Sequence, residues 1–337
     1  MNFNIFFTND CNMRCTYCYE GLDKKKIFIT YEILDDIIEF IKEKVGASNS
    51  RVTITTHGGE PLLAFEKIKY FVEKIKKYDS RIRLQMTTNA TLLDDQKIDF
   101  INKYYDRISI SIDGNEEAHD ANRRFANGKG SYEAVVNNVD KLFRKGIIPE
   151  ARMTVNSNNY KYLSTSIIHL IEMGFKDILP VIDIFAGDWN EKMIADVTGE
   201  MLKVITYLKD NGQNNNITVG LIDTVKCKLK NSLCDGGLNT FTIDTDGKIY
   251  PCMLCNGNSQ YCIGTVYSGI NIQKLQEVHR SDKEIISICE GCTRYCYCDN
   301  TRCKIVNEII MGDKNQPIPV KCAIENMCVI LDEAMSS

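Results

Sequence analysis

The fifteen cysteines of this 337-residue chain sit at its two ends. Cys11, Cys15 and Cys18 open the sequence, none follows until Cys227, and the remaining twelve lie between Cys227 and Cys328. Their odd number rules out complete disulfide pairing, and clustered cysteines in a reducing compartment point to metal. Beyond about Asp223 the elements shorten while glycines and cysteines multiply. A region with so little regular structure needs bound metal to stabilise it.

Apolar residues make up 44% of the chain and charged residues 26%, enough for an ordinary core without staples. A net charge of −4 gives no basic field for nucleic acid. The run Lys24-Lys25-Lys26 reads as a solvated loop. The N-terminus lacks the charged region, apolar stretch and cleavage site of a signal peptide. No window approaches the length of apolar sequence that spans a membrane. A cytoplasmic protein is expected.

Up to about residue 220 the pattern alternates. Strands are predicted at Asn4–Thr8, Val52–Thr56, Arg83–Thr87, Arg107–Ile112, Ala151–Val155 and Asp177–Ile182, each short, apolar or β-branched, and bounded by turn residues. Helices are predicted at Tyr31–Val45, Leu62–Tyr78, Tyr132–Lys145, Tyr160–Met173 and Asn190–Lys209. Six βα units predict an α/β fold with a parallel sheet, open or barrel-like, and a site at the C-terminal strand ends. The polar segment 211–216 marks a boundary, and Phe241–Tyr250 reads as a hairpin around Asp246-Gly247. Two domains are expected, 1–222 and 223–337.

Cys11, Cys15 and Cys18 form C-x3-C-x2-C directly after the first strand. Three thiolates on a four-iron cubane leave one iron open, which suits catalysis more than structure. The plainer alternative is zinc with His57 as fourth ligand, although structural zinc prefers C-x2-C pairs. Gly58-Gly59-Glu60-Pro61 follows the second strand, Thr88-Asn89 the third, and Ser109-Ile-Ser111-Ile-Asp113-Gly114 the fourth.

These motifs together resemble the radical S-adenosylmethionine (SAM) superfamily over about residues 1–220. The resemblance implies a partial (β/α)6 TIM-like barrel in which the open iron chelates SAM and reductive cleavage yields a 5′-deoxyadenosyl radical. It implies SAM contacts at Tyr17, Gly58, Gly59, Glu60, Asn89, Ser111 and Arg123, with Ile184 on the adenine side. Glu60 would accept from the methionine amine, and Arg123 would reach the carboxylate or ribose region. A reducing partner such as flavodoxin or ferredoxin is implied as well.

The C-terminal cysteines, with C-x2-C-x5-C at Cys289, Cys292 and Cys298 and a hairpin ending Pro251-Cys252, resemble the SPASM extension of peptide and protein maturases. Carried over by position, a first auxiliary [4Fe-4S] cluster would use Cys227, Cys234, Cys252 and Cys303. A second would use Cys289, Cys292, Cys298 and Cys322, for three clusters in all. Two zinc sites remain the alternative. Cys255, Cys262, Cys296 and Cys328 are left over. Cys255 or Cys262 could replace Cys227 or Cys234 as a ligand, or Cys255 could face the substrate.

The resemblance makes the substrate a peptide, with formation of a thioether or other crosslink in a ribosomally made peptide as the leading reading. The runner-up is formylglycine formation by an anaerobic sulfatase-maturating enzyme. In those enzymes an aspartate base directly follows the last hairpin cysteine, where this chain has Met253. With the first strand at the N-terminus, leader recognition is expected from the core or from a separate leader-binding protein. Asp183, Asp188 and Trp189 either line the substrate mouth or form a solvated loop with one anchoring aromatic. A non-enzyme alternative is a zinc-stapled interaction module.

Overall fold

The computed structural model describes residues 1–46, 51–213, 216–227, 230 and 232–337, leaving aside the side chains of 224–227. Along the chain run β1 (Asn2–Phe6), α1 (Tyr31–Gly46), β2 (Thr53–His57), α2 (Phe65–Tyr78), β3 (Arg83–Thr88), α3 (Asp95–Tyr104), β4 (Arg107–Ser111), α4 (Glu116–Asn122), α5 (Tyr132–Arg144), β5 (Glu150–Val155), α6 (Leu163–Met173) and β6 (Asp177–Ile182). They are followed by α7 (Glu191–Asp210), β7 (Thr218–Val219), α8 (Gly220–Cys227), β8 (Thr240–Ile243), β9 (Lys248–Tyr250), β10 (Gly264–Thr265), β11 (Gly269–Ile270), α9 (Ile272–His279), α10 (Asp299–Arg302), α11 (Lys304–Met311) and α12 (Pro319–Ser336). The chain divides into two compact units. The first comprises Met1–Asn12, Glu20–Ser109 and Cys234–Asp282, and the second Met13–Tyr19, Ile110–Leu233 and Lys283–Ser337. Each unit therefore draws on sequence from both sides of residue 223.

In the first unit β1 pairs in parallel with β2, and β2 with β3. The other edge of β1 pairs in parallel with β8, Phe3 opposite Phe241, and those two rings stack with centroids 5.3 Å apart. β8 turns into β9 as the predicted hairpin, with Gly247 at φ +79°. Helix α1 buries Leu34, Ile37, Ile38 and Ile41 at helical spacing, with Glu32 in its first turn and Lys44 in its last, both favourable to the helix dipole. Helix α2 buries Ile68, Val72 and Ile75 in the same way. Its start is displaced from Leu62 because Pro61 opens a separate 3-10 turn over Pro61–Ala64. Helix α3 was not predicted: its apolar positions are few (Ile98, Phe100, Ile101), and its start rests on Asp94, whose carboxylate accepts from the Lys97 N–H.

In the second unit β5, β6 and β7 are parallel neighbours, with Val155 opposite Ile182 and Ile178 opposite Val219. Helix α12 packs on α7 and α8. It buries Glu325, Met327, Cys328 and Leu331 and begins at Pro319, a favoured first helical position. The expectation of little regular structure beyond Asp223 is thus corrected. Residues 304–336 are largely helical, because cysteines such as Cys328 serve as small apolar residues on a helical stripe. The α/β class with parallel strands is as expected. Among the described residues no helix is long and apolar enough to cross a membrane.

Candidate active site

The first unit holds Cys11 on the loop that leaves β1. Thr8 and Asp10 shape this loop. The Asp10 N–H donates to Thr8 Oγ1 at 3.0 Å and the Cys11 N–H to Asp10 Oδ1 at 2.9 Å. The Gly58-Gly59-Glu60 turn after β2 lies directly on it, with Gly59 N–H donating to Thr8 O at 2.8 Å and Glu60 N–H to Asp10 O at 2.9 Å. No side chain fits between these backbones. A Cβ on Gly59 would stand 2.3 Å from Asp10 O, and one on Gly58, at φ +149°, 2.5 Å from Thr8 O. The glycines therefore serve a backbone-to-backbone approach that supports the Cys11 loop.

Glu60 is 1% exposed. Its Oε1 accepts from Thr88 Oγ1 at 2.6 Å and from Leu62 N–H at 3.1 Å, and its Oε2 from Asn89 N–H at 2.8 Å. Burial pushes its carboxyl up to about 7 against the pull of these donors. A carboxylate offers about four acceptor positions, so the set leaves room for a further donor such as an amine. The Asn89 amide donates to Asn12 Oδ1 at 2.9 Å and points a second N–H at Cys11 Sγ, 3.9 Å away. Ala90, fully buried, adopts φ +62°, a left-handed conformation uncommon outside glycine.

The second unit holds Cys15, Tyr17 and Cys18. Their segment is fixed by Thr16, whose N–H donates to Asn122 O at 3.0 Å and whose hydroxyl donates to Asn122 Oδ1 at 2.6 Å. A turn closes Cys18 N–H onto Cys15 O at 3.1 Å. The Tyr17 hydroxyl donates to Asp113 Oδ2 at 2.5 Å, and Arg123 Nε lies 3.0 Å from Asp113 Oδ1. The guanidinium stands 5.2 Å over the Tyr17 ring. Burial opposes the Arg123 charge, but Asp113, Tyr17 and Cys15 around it more than offset that, so it stays protonated. Burial likewise holds the Tyr17 phenol well above its ordinary range, as a donor. Ser111 is half-buried at the end of β4, and Ile184 is half-buried just past β6. In that latter loop the Trp189 indole donates to Asp183 O at 2.7 Å, so Trp189 anchors the loop.

The second auxiliary set lies within the second unit. Burial, together with the facing Cys322, Cys298 and Cys292, drives the Cys289 thiol upward. Asn300, fully buried, donates to Cys322 Sγ at 3.3 Å. The first auxiliary set is divided. Cys234 and Cys252 belong to the first unit and Cys303 to the second, while the Cys227 side chain lies outside the described residues. Cys255 meets Cys252, with sulfurs 3.7 Å apart, and its hydrogen bond pulls Cys252 down to about 7. Cys262 donates to Gly264 O at 3.4 Å. Among the described residues no three His, Cys, Asp or Glu side chains close around a single ion. A cubane needs a wider spread, since each thiolate holds a different iron.

Within the first unit the structure brings together Cys11, Gly58, Gly59, Glu60 and Asn89, and within the second Tyr17, Arg123 and Cys15. Asp113, named in the motif after the fourth strand but given no role there, is the carboxylate shared by Tyr17 and Arg123. Its signal was an acidic residue just past a strand of buried isoleucines.

Residues 5–164 match the model of the radical SAM superfamily. Over that stretch the chain is similar to the radical SAM superfamily, and its fold is mixed α/β with a cysteine-rich C-terminus. It is 26% identical over 267 residues to the cysteine-type anaerobic sulfatase-maturating enzyme of Clostridium perfringens, a match covering 73% of this chain and 72% of that one. Its fold is that of native anSMEcpe with bound AdoMet and Cp18Cys peptide, at 18% identity and TM-score 0.76 over 98% of this chain and 96% of that one. It is also that of Streptococcus suis SuiB bound to precursor peptide SuiA, at 15% identity and TM-score 0.69 over 95% of this chain and 75% of that one. These matches support the partial-barrel reading.

Proposed function

We propose that this enzyme uses SAM to modify a peptide oxidatively, forming a thioether or another crosslink in a ribosomally made peptide. The observation that carries this reading over sulfatase maturation is Met253, which directly follows Cys252. A thioether sulfur cannot take up the proton that an aspartate would accept at that position in a sulfatase maturase. Sulfatase maturation is the second reading, favoured by the 26% identity to the Clostridium perfringens enzyme.

Cys11, Cys15 and Cys18 would hold the SAM-binding cluster. When bound, cluster and SAM supply a reductively generated 5′-deoxyadenosyl radical that abstracts a hydrogen atom. The protein's own part is orientation. Glu60 and the Gly58-Gly59 backbone would receive the methionine amine, Arg123 the carboxylate side, and Tyr17, Asn89, Ser111 and Ile184 the rest of the cofactor. Cys289, Cys292, Cys298 and Cys322 would hold one auxiliary cluster and Cys227, Cys234, Cys252 and Cys303 the other, with residues 1–222 as the radical core and 223–337 as the extension. A flavodoxin or ferredoxin would supply the electron.

Anaerobic reconstitution tests the cofactors. On the order of twelve iron per chain is expected from three four-iron clusters, with reductive SAM cleavage abolished by Cys15→Ala. Bound zinc without SAM turnover would overturn the reading. Incubation with candidate peptides, SAM and reductant, read by mass spectrometry, decides the product. Loss of two hydrogens marks a crosslink, and replacement of a cysteine thiol by an aldehyde marks sulfatase-type maturation.

A further inference from the structure

Three residues of the second unit, Asp113, His119 and Ser131, close a ring with Arg123. Asp113, whose side chain is fully buried, pairs with the guanidinium at 3.0 Å. The Asp113 N–H donates to His119 Nδ1 at 3.3 Å. His119, also fully buried, meets Ser131 Oγ through Nε2 at 2.9 Å, and the Ser131 hydroxyl donates to Arg123 O at 2.8 Å. The His119 ring is neutral, because burial and then the nearby Arg123 cation hold its pKa well below the ordinary value. The proton roles follow: Nδ1 accepts, Nε2–H donates to Ser131, and Ser131 donates onward. Arg123 is thus gripped at its side chain and at its own carbonyl.

The same carboxylate makes two further contacts. Oδ1 accepts the Thr154 N–H of β5 at 2.9 Å, and Oδ2 accepts the Tyr17 hydroxyl at 2.5 Å. Tyr17 is the residue between Cys15 and Cys18. One buried carboxylate therefore joins the cysteine segment, the arginine and strand β5.

We propose that Asp113 is a positioning residue for SAM, holding Tyr17 of the cysteine segment and the Arg123 guanidinium in one fixed register. The proposal rests on the reading that Arg123 receives the carboxylate side of SAM and that Cys15 and Cys18 carry the cluster. A buried ion pair contributes little net stability over an apolar substitute, but removing one partner strands the other. The arrangement thus makes sense as orientation of a fork-shaped donor rather than as a stabilising device. Pre-set orientation of this kind is what lets an arginine bind a carboxylate without reordering first.

The test compares reconstituted wild-type protein with Asp113→Asn, Arg123→Gln, the double variant and Tyr17→Phe. Three quantities are read: iron per chain, SAM dissociation constant by equilibrium dialysis, and the SAM-induced change in the EPR spectrum of the reduced protein. For Asp113→Asn the expected result is unchanged iron, SAM affinity weaker by about tenfold or more, and a diminished spectral response. Asp113 acts through Arg123 and Tyr17, so the losses of Asp113→Asn and Arg123→Gln should be less than additive in the double variant. Tyr17→Phe keeps the ring under the guanidinium and removes only the hydroxyl. It should weaken SAM several-fold at full iron content, and it carries the test if Asp113→Asn does not fold. Wild-type SAM affinity in either folded variant, or additive losses in the double variant, would overturn the proposal. A wild-type protein that takes up no iron, or an Arg123→Gln variant that binds SAM normally, would instead overturn the underlying reading.

Discussion

The backbone N–H of Asn89 donates to Glu60 Oε2 at 2.8 Å, tying the turn after β2 to the end of β3, and the Asn89 side chain continues toward Cys11. The buried carboxylate is the joint of that corner. Its pKa, about 7 in the folded chain against 4.5 for the ordinary group, means that the folded state binds this proton more tightly than the unfolded one. Its stabilising contribution is full below pH 4.5 and fades as pH rises through about 7. A shift of this size corresponds to about 3 kcal/mol. Urea unfolding between pH 5 and 8 should show a falling midpoint in the wild type and a flatter profile in Glu60→Gln. Equal slopes would show that Glu60 titrates normally.

Gly59→Ala tests the backbone contact. The added Cβ would fall 2.3 Å from Asp10 O, and that oxygen is backbone, with no flexible end to move aside. The expected cost is several kcal/mol, in the range of the most disruptive single substitutions, together with loss of iron from the Cys11 site. An unfolding midpoint and iron content like those of the wild type would refute the claim that the glycine is sterically required.

Asn300 grips the start of α12. Its amide donates to Ile318 O at 3.0 Å and to Cys322 Sγ at 3.3 Å, and its Oδ1 accepts the Ile318 N–H at 3.1 Å. Asn300→Ala forfeits three hydrogen bonds and leaves a buried N–H unpaired, a loss of about 3 kcal/mol. Hydrogen bonds to cluster sulfurs also raise the reduction potential. EPR-monitored titration should therefore find one auxiliary signal moved to lower potential. An unmoved signal would mean that Cys322 is not a ligand or that the hydrogen bond does not bear on it.

Leu331 of α12 is fully buried, in a helix that packs on α7 and α8. Leu331→Ala should cost about 2–5 kcal/mol by leaving a cavity. A cost below 1 kcal/mol in chemical unfolding would mean that this helix is peripheral to the second unit.

What could be read without a structure was whatever local spacing encodes. The strand at Asp177–Ile182 falls where alternation placed it, and the strand and helix starting at Arg83 and Tyr31 begin on the predicted residues. The C-x3-C-x2-C thiols and Gly58-Gly59-Glu60 could be recognised for the same reason, since their chemistry lies in residue type and short separation. Helix α3 escaped because a capping aspartate and three apolar residues make a weak periodic signal. Contacts between distant segments were out of reach. Nothing local says that Phe241 pairs beside Phe3, because strand partners are chosen by burial of the whole sheet and not by either strand alone. Met253 and Cys255 follow Cys252 closely in sequence, yet only folding showed that the Cys255 sulfur meets Cys252. Asp113 is the sharpest case. In sequence it is one of many acidic residues. The tertiary structure buries it among Tyr17, Thr154 and Arg123, and an ionised group removed from water must find such partners.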